Sequence, residues 1–167
     1  MAADVRWLGH AAFHLSGGGA DVLIDPFLTG NPKAAASADE VPADVILLTH
    51  GHGDHIGDTV DIAKRTGAKV LAIVELAAEI QGDGVEDVVG FNYGGTVTFD
   101  WGWVKMVPAW HTAVSPKGTA HMPAGLLIHY GTFPPIESDP QAFKADVQNA
   151  GFSEVLVLEP GDTHTLR

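Results

Sequence analysis

The sequence predicts a single domain of the mixed α/β class, on the basis of three observations. A length of 167 residues suits one domain with a hydrophobic core. Hydrophobic residues make up 46% of the chain and charged residues 18%, a balance typical of globular proteins rather than disordered ones. Strand-like runs outnumber helical ones in the first part of the chain, and helices separate strands further along, so we expect sheets covered by helices.

The first part of the chain is predicted to consist mainly of strands. Val5–Leu15 and Ala20–Ile24 are expected to be two strands, joined by the glycine-rich turn Ser16–Gly19. Proline and glycine make Ile24–Pro32 a loop. Val45–Leu48 is a run of four apolar residues, which suits a buried strand.

The rest of the chain is predicted to alternate between helices and strands. The first helix should stop at Gly67, and the last has a proline near its start. The expected helices are Thr59–Arg65, Glu75–Ile80 and Pro140–Ala150, and the expected strands are Lys69–Ile73, Val85–Val89, Thr96–Phe99, Trp103–Val107, Gly125–Tyr130 and Glu154–Leu158.

Composition limits the function classes. The chain has no cysteine, which excludes disulfides and thiolate metal sites, so any metal must be held by imidazole and carboxylate groups. A formal net charge of −12 repels nucleic acid and anionic membranes, and we expect a small-molecule substrate instead. The opening MAADVRWLGHAAF lacks the features of a signal peptide, and no apolar run approaches the roughly 20 residues of a membrane span, so a cytoplasmic location is expected.

The segment Leu47–Asp58, LLTHGHGDHIGD, carries the strongest chemical signal. It places His50, His52, Asp54 and His55 directly after an apolar strand. In an extended chain, alternate side chains lie on one side, so the first three are expected to converge, with glycines between them leaving space. Imidazole and carboxylate without sulfur suit zinc, and also iron, manganese or nickel. A solvated polar loop is the alternative, and the H-x-H-x-D-H pattern favours a metal site over it.

Further ligand candidates lie at the ends of other predicted strands. His111 follows the apolar strand in WVKMVPAWH, and His129 follows that in GLLIHYGTFPP. Asp25 ends a strand, where it is expected either to hydrogen-bond a ligand imidazole or to cap the turn before Pro26. The remaining histidines have weaker claims: packing or hydrogen bonding is expected for His10 and His14, a loop position for His121 and an exposed position for His164.

Five motifs in this order resemble a known family. They are WLGHAAF, LIDPFLTGNP, THGHGDHIGD, MVPAWH and HYGTFPP, and they cover nearly the whole chain. Together they resemble metallo-β-lactamase-fold hydrolases, specifically the metal-dependent hydrolases related to the ascorbate-phosphate lactonases. The resemblance implies an αββα sandwich, two sheets faced by helices, with a dinuclear metal site at one edge of the sheets.

The resemblance also implies roles for individual residues. His50, His52 and His111 would hold the first metal, and Asp54, His55 and His129 the second. The expected cofactor is zinc, one or two ions, with Mn²⁺, Fe²⁺ or Ni²⁺ as alternatives. Metal-activated water would then attack an ester, lactone or phosphodiester, and Asp54 would orient that water or shuttle its proton.

The sequence departs from the family pattern at one point. Members of the family carry a long segment between the strands matching PAGLLI and HYGTFPP, and its glycine-aspartate-threonine motif supplies an aspartate that bridges both metals. Here Ile128 runs directly into His129. We therefore expect 1–128 to be the first half of the sandwich and 129–167 a remnant of the second. Asp162 stands in a similar Gly-Asp-Thr triplet, but a terminal segment is a poor substitute for the bridge.

Three functions remain open from the sequence. The leading hypothesis is a metal-dependent hydrolase of shortened form. The second is a metal-binding protein without catalysis, because the bridging aspartate is missing. A nuclease is the weakest, because the net charge is −12 and no stretch is rich in lysine or arginine. The lost half would leave sheet edges and apolar surface exposed, which favours self-association into a homo-oligomer.

Overall fold

A seven-stranded mixed sheet forms the centre of the protein. The computed structural model describes residues 3–124, 144–145, 148 and 156–166. The strands are β1 (Ala3–Gly9), β2 (Ala12–Gly17), β3 (Ala20–Ile24), β4 (Val45–Leu47), β5 (Lys69–Ile73), β6 (Val88–Phe91), β7 (Thr96–Phe99), β8 (Gly102–Lys105) and β9 (Thr163–Leu166). The helices are α1 (Gly53–Ile56), α2 (Thr59–Thr66) and α3 (Val74–Gly82).

The order of strands in the sheet is β6-β5-β4-β3-β2-β1-β9. Strands β3 to β6 pair in parallel, whereas β2 is antiparallel to both β1 and β3. Strand β1 therefore runs in the same direction as β3, β4 and β5. The hairpin β7–β8 forms a separate two-stranded sheet.

Alternating side chains give the large sheet two apolar faces. One face, which includes Leu23 and Ile46, packs in the main core with Ile62 of α2 and Leu76 of α3. On the opposite face Val22, Val45 and Leu71 pack with residues of the hairpin. The described chain is thus a layered structure, with helices on one side of the sheet and the hairpin on the other. The mixed α/β class predicted from the sequence is confirmed.

One predicted strand is wrong, because a turn at Gly9 and His10 divides it. Val5–Leu15 was expected to be continuous, but the structure divides it into β1 and β2. The chain reverses because Gly9 has φ 102° and His10 has φ 55°, in the left-handed region where strands cannot continue. A Cβ on Gly9 would also lie 2.2 Å from the carbonyl oxygen of Lys33. The turn therefore requires glycine there.

The other elements lie close to their predicted positions, with differences at the ends of the chain. The strand expected at Val85–Val89 is shifted to β6, and that at Trp103–Val107 is shifted to β8. Strand β9 was not predicted, and it pairs with β1. Residues 156–158 are not in a strand, although Glu154–Leu158 was expected to be one. Lys144, Ala145 and Gln148 are helical, whereas most of Pro140–Ala150 and all of Gly125–Tyr130 lie outside the described residues.

No helix within residues 3–124 or the later described positions is long and apolar enough to cross a membrane.

Candidate metal site

Three strand ends meet at one edge of the sheet. Because β1, β3 and β4 run in the same direction, their carboxyl ends lie together, and that edge is where sheets of this kind bind ligands. The residues that follow directly are His10 after β1, Asp25 after β3, and the segment Thr49–His52 shortly after β4. Both His10 and Asp25 are fully buried and have positive φ, at 55° and 43°. Such strained backbone at a buried polar residue is typical of functional sites.

The histidine motif folds partly as a loop and partly as a helix. His50 and His52 precede α1, while Asp54 and His55 lie within it, where the amide of Ile56 donates to the carbonyl of His52 at 2.9 Å. The structure places Asp54 in a group with His10 and His55, whereas His50 and His52 form a group with His111. From its place in α1, the carboxylate of Asp54 reaches His10, with His10 Nε2 3.0 Å from Asp54 Oδ2. Its charge also acts on His50 and His52, where it opposes the lowering of their pKa values.

The first group of metal-capable side chains consists of His50, His52 and His111. One ligand atom from each lies within 4.8 Å of the others, and His50 Nε2 is 3.0 Å from His52 Nδ1. The ring of His111 lies 4.7 Å from that of His50 and 5.1 Å from that of His52, between centroids. A tetrahedral zinc with ligands at about 2.0–2.1 Å would hold such nitrogens roughly 3.3 Å apart. Small side-chain adjustments therefore suffice to fit the ion.

Two further groups lie beside the first. His10, Asp54 and His55 form one, and Asp25, His50 and His55 form the other. The rings of His50 and His55 are 3.9 Å apart, between centroids. His50 and His55 each belong to two of the three groups, so the candidate site is one continuous cluster.

Asp25 orients the two histidines at the centre of this cluster. Its Oδ2 lies 2.7 Å from Nδ1 of His55 and accepts a 2.5 Å hydrogen bond from the Thr49 hydroxyl. Because that hydroxyl gives its proton to Asp25, the Thr49 oxygen accepts from Nδ1 of His50 at 3.0 Å. Both histidines are thereby held with the proton on Nδ1, so Nε2 of each is the unprotonated nitrogen, the form of the ring nitrogen that binds a metal. Of the two roles expected for Asp25, the structure shows the hydrogen bond to a candidate ligand.

The electrostatics of the cluster favour ligand-ready protonation states. Burial, followed by the three neighbouring histidine rings, lowers the pKa of His50 from 6.5 to about 2. Burial and the ring of His111 also lower the pKa of His52. The hydrogen bond with His10 holds the pKa of Asp54 well below its usual range, against the opposing effect of burial. Metals bind neutral imidazole and ionised carboxylate, so no proton has to be displaced from these groups near neutral pH.

His10 is a site residue whose role the sequence did not reveal. Packing or hydrogen bonding was expected, and it does make a hydrogen bond, but to a residue 44 positions away in the metal motif. The signal that was available is its position at the end of an apolar run, directly after a glycine. Because Val5–Leu15 was predicted to be one uninterrupted strand, His10 was not recognised as lying at a strand end.

The other residues considered from the sequence belong to none of the three groups within the described part of the chain. His129 lies outside the described residues. Asp162 is exposed, and its carboxylate accepts a 2.9 Å hydrogen bond from the amide of Glu159, so it caps a turn and belongs to none of the three groups. His14 hydrogen-bonds Asp21 at 2.7 Å, and His164 lies half-buried in β9 rather than exposed as expected.

A fold and a donor cluster of this kind define a class of protein. The family model described as the metallo-beta-lactamase superfamily matches residues 5–166. The chain therefore belongs to the metallo-beta-lactamase superfamily, and the resemblance seen in its motifs is confirmed.

Relatives narrow the class to metal-dependent hydrolases. A UPF0173 metal-dependent hydrolase of Methanopyrus kandleri is 38% identical over 226 aligned positions, which cover 96% of this chain and 98% of the relative. A UPF0173 metal-dependent hydrolase of Thermus thermophilus is 47% identical over 129 residues, which cover 77% of this chain but 57% of the relative. Within the superfamily, the chain is a member of this group of metal-dependent hydrolases, as its sequence led us to expect.

The same comparisons confirm that the chain is short. The 226 positions aligned with the Methanopyrus kandleri protein exceed the 167 residues of this chain, so that relative contains positions with no counterpart here.

Among solved structures, Igni18, a metallo hydrolase from the archaeon Ignicoccus hospitalis, superposes with a TM-score of 0.85 at 27% identity, covering 100% of this chain and 99% of that one. The shortened chain thus retains the fold of its relatives.

Proposed function

We propose that this chain is a zinc-dependent hydrolase of small-molecule esters, lactones or phosphodiesters. His50, His52 and His111 hold the first metal in this proposal. Asp54 and His55 contribute to a second, with His129 as their further ligand. The cytoplasm is the proposed location, and the acidic net charge of −12 favours a small molecule over nucleic acid as substrate.

The convergence of three imidazoles carries this proposal. His50 and His52 stand on the loop after β4, whereas His111 comes from a segment 59 positions or more further along, and the ligand atoms of all three lie within 4.8 Å. Lowered pKa values in His50 and His52 keep both rings uncharged. Without a metal to bridge them, converging imidazoles gain little from such close approach, because the buried His50 ring loses hydration there.

The chemistry assigned to the metal is that of a Lewis acid, which polarises the substrate and makes water a stronger nucleophile near neutral pH. The chain's own contribution begins with Asp54, which is ionised because His10 hydrogen-bonds its Oδ2. In this proposal the ionised carboxylate accepts a hydrogen bond from a reacting group and so orients it. His10 thereby aims the carboxylate, while Asp25 aims His55 and, through Thr49, His50.

A metal-binding protein without catalysis is the second candidate, and one observation favours it. The relatives contain a segment that this chain lacks. If that segment supplies a ligand shared by both metals, this chain binds metal through the first group but leaves the second metal weakly held.

The two candidates are separated by turnover in zinc-loaded protein. The assay uses p-nitrophenyl acetate, a γ-lactone and bis-p-nitrophenyl phosphate, with and without chelator. We expect hydrolysis of at least one substrate above the rate of free zinc, loss of that rate with chelator, and its loss in both His50→Ala and His52→Ala. His164→Ala, on the edge strand β9, is the matched control and should retain the rate.

Zinc bound without any turnover would support the second candidate. Retention of turnover in both His50→Ala and His52→Ala would overturn the assignment of the site altogether.

A further inference from the structure

His121 connects two separate parts of the candidate site. It lies in the segment 108–124, here called the His111 segment, which follows β8 and carries His111. The amide of Gly51, between His50 and His52, donates a 2.8 Å hydrogen bond to Nε2 of His121. On the other side of the ring, Nδ1 donates to the carbonyl of Thr119 at 3.1 Å.

This pair of hydrogen bonds defines the state of the ring. A backbone amide can only donate, so Nε2 must present its lone pair to Gly51, and the proton must be on Nδ1. The Nε2 lone pair is therefore already used and is not available to a metal. In agreement, His121 belongs to none of the metal-capable groups within the described residues.

The packing at Gly51 shows how closely the ring fits the loop. A Cβ built on Gly51 would lie 2.4 Å from Cε1 of His121 and 3.0 Å from its Nε2. Gly51 does not have positive φ, so its conformation is open to any residue. Glycine is needed here because of the imidazole that covers it.

The contact matters because His111 has few restraints of its own. His111 is exposed, and within the described residues its Nδ1 bonds only to the neighbouring Thr112 carbonyl, at 2.5 Å. Among the described residues, two hydrogen bonds join the His111 segment to the loop Thr49–His52. One runs from the amide of Ala124 to the carbonyl of Thr49 at 2.8 Å, and the other from the amide of Gly51 to His121. The position of the segment thus determines where His111 stands relative to His50.

We propose that His121 is a positioning residue, whose Nε2 lone pair docks the His111 segment onto the backbone of Gly51 and so sets His111 against His50 and His52. The inference rests on the proposed function, since it assumes that these three histidines share a metal. His121 itself contacts neither metal nor substrate. Its effect is on metal affinity and on the geometry of the metal site.

The first test compares two substitutions at His121 by titrating metal-free protein with Co²⁺ and recording its visible absorption. His121→Phe keeps a ring but has no acceptor for the Gly51 amide, whereas His121→Gln offers an oxygen near the place of Nε2. We expect His121→Phe to weaken Co²⁺ binding about 10–100-fold and to change the absorption band, as loss of a ligand-orienting contact does. His121→Gln should bind Co²⁺ much more nearly as the unmodified chain does. His164→Phe serves as the control for a histidine-to-phenylalanine change elsewhere.

The second test uses the Gly51 amide and needs no metal. In metal-free protein the amide proton resonance of Gly51 should move in His121→Phe and return toward its original position in His121→Gln. Gly51→Ala should lower the melting temperature because its methyl group collides with the ring, and adding His121→Ala should restore part of that loss. The double variant should still bind Co²⁺ weakly, because the docking contact is absent.

The outcomes distinguish this proposal from the proposed function. If the unmodified chain fails to bind Co²⁺, the proposed function fails. If the unmodified chain binds Co²⁺ and His121→Phe binds it equally well with an unchanged spectrum, the role of His121 is overturned. If His121→Phe does not fold, His121→Gln provides the test. A folded His121→Gln that binds Co²⁺ as weakly as the Gly51→Ala, His121→Ala double variant would also overturn the role of His121.

Discussion

The carboxylate of Asp25 lies 2.7 Å from Nδ1 of His55, and both side chains are buried. The same carboxylate accepts the amide of Thr49 at 2.8 Å and the Thr49 hydroxyl at 2.5 Å. One aspartate at the end of β3 thus organises the loop at the end of β4 and the helix that follows it. Since Nδ1 of His50 hydrogen-bonds the Thr49 hydroxyl, the Asp25 carboxylate determines which ring nitrogen carries the proton in both His50 and His55.

Substitution of Asp25 by asparagine tests this organisation. Asparagine tolerates the positive φ of 43° found here, so the backbone is retained while the charge and one acceptor are lost. We expect zinc affinity to fall about 10–100-fold and stability to fall by about 1–3 kcal/mol. Calorimetric zinc titration and thermal unfolding measure the two effects.

The matched control for this change is Asp58→Asn. Asp58 accepts the amides of Leu28 and Thr29, both at 2.8 Å, in the loop after β3. Its substitution should lower stability with little change in zinc affinity. Equal effects of both substitutions on zinc binding would argue against a special role for Asp25.

His50→Ala and His111→Ala should separate stability from metal binding. His50 is buried, with hydrogen bonds to Thr49 and His52, whereas His111 is exposed. We expect His111→Ala to leave the stability of the metal-free protein within about 0.5 kcal/mol, as for other surface changes. His50→Ala should destabilise that state clearly. Thermal unfolding in chelator and in zinc measures this, and both variants should lose most of the stabilisation that zinc gives to the unmodified chain.

How much of this site is predictable from sequence follows from the distances along the chain. His50, His52, Asp54 and His55 stand within six positions, so the motif itself indicates them. The hydrogen bond between His10 and Asp54 spans 44 positions and depends on the turn at Gly9, which a pattern of apolar residues does not show. The interior strands were predictable because β4 and β5 are buried apolar runs.

The edge of the sheet is harder to predict for the same reason. Strand β9 reads THTL, with little apolar character, and it exists because β1 offers it an unpaired edge. Likewise, the sequence gives no reason to connect His121 with Gly51, 70 positions away. Local pattern therefore predicts the ligand motif and the core strands, whereas the contacts that orient the ligands arise from tertiary packing.

Acid should destabilise the metal-free protein, and the pKa of His50 determines the pH at which this loss of stability begins. Its pKa is about 2 in the folded chain and 6.5 ordinarily, so below pH 6.5 the unfolded chain takes up a proton that the folded one does not. Stability is then unaffected above this pH and falls below it, by up to about 1.4 kcal/mol per pH unit for this group. The carboxylate of Asp54, whose pKa is lowered, adds a further loss only as the pH falls through its ordinary value of 3.8.

Urea unfolding between pH 7.5 and 4.5 measures this dependence. The slope should be smaller in His50→Ala, which lacks the group, and unchanged in His164→Ala, whose imidazole lies on the edge strand β9. An unchanged slope in His50→Ala would show that other groups cause the acid sensitivity.

Metal stoichiometry is the measurement that decides between one and two working sites. His50, His52 and His111 form a complete set of three ligands, whereas Asp54 and His55 have His10 nearby, and its Nε2 already bonds Asp54. We therefore expect the first zinc to be bound more tightly than the second, and the melting temperature to rise with zinc and fall in chelator. The first zinc should stabilise the folded chain by about 2.7 kcal/mol at a zinc concentration 100 times its Kd. Elemental analysis of protein purified without chelator measures the ratio. Two zinc ions per chain would mean that residues outside the described part, His129 first among them, complete the second site, and Asp54→Asn should then remove one ion and leave the other.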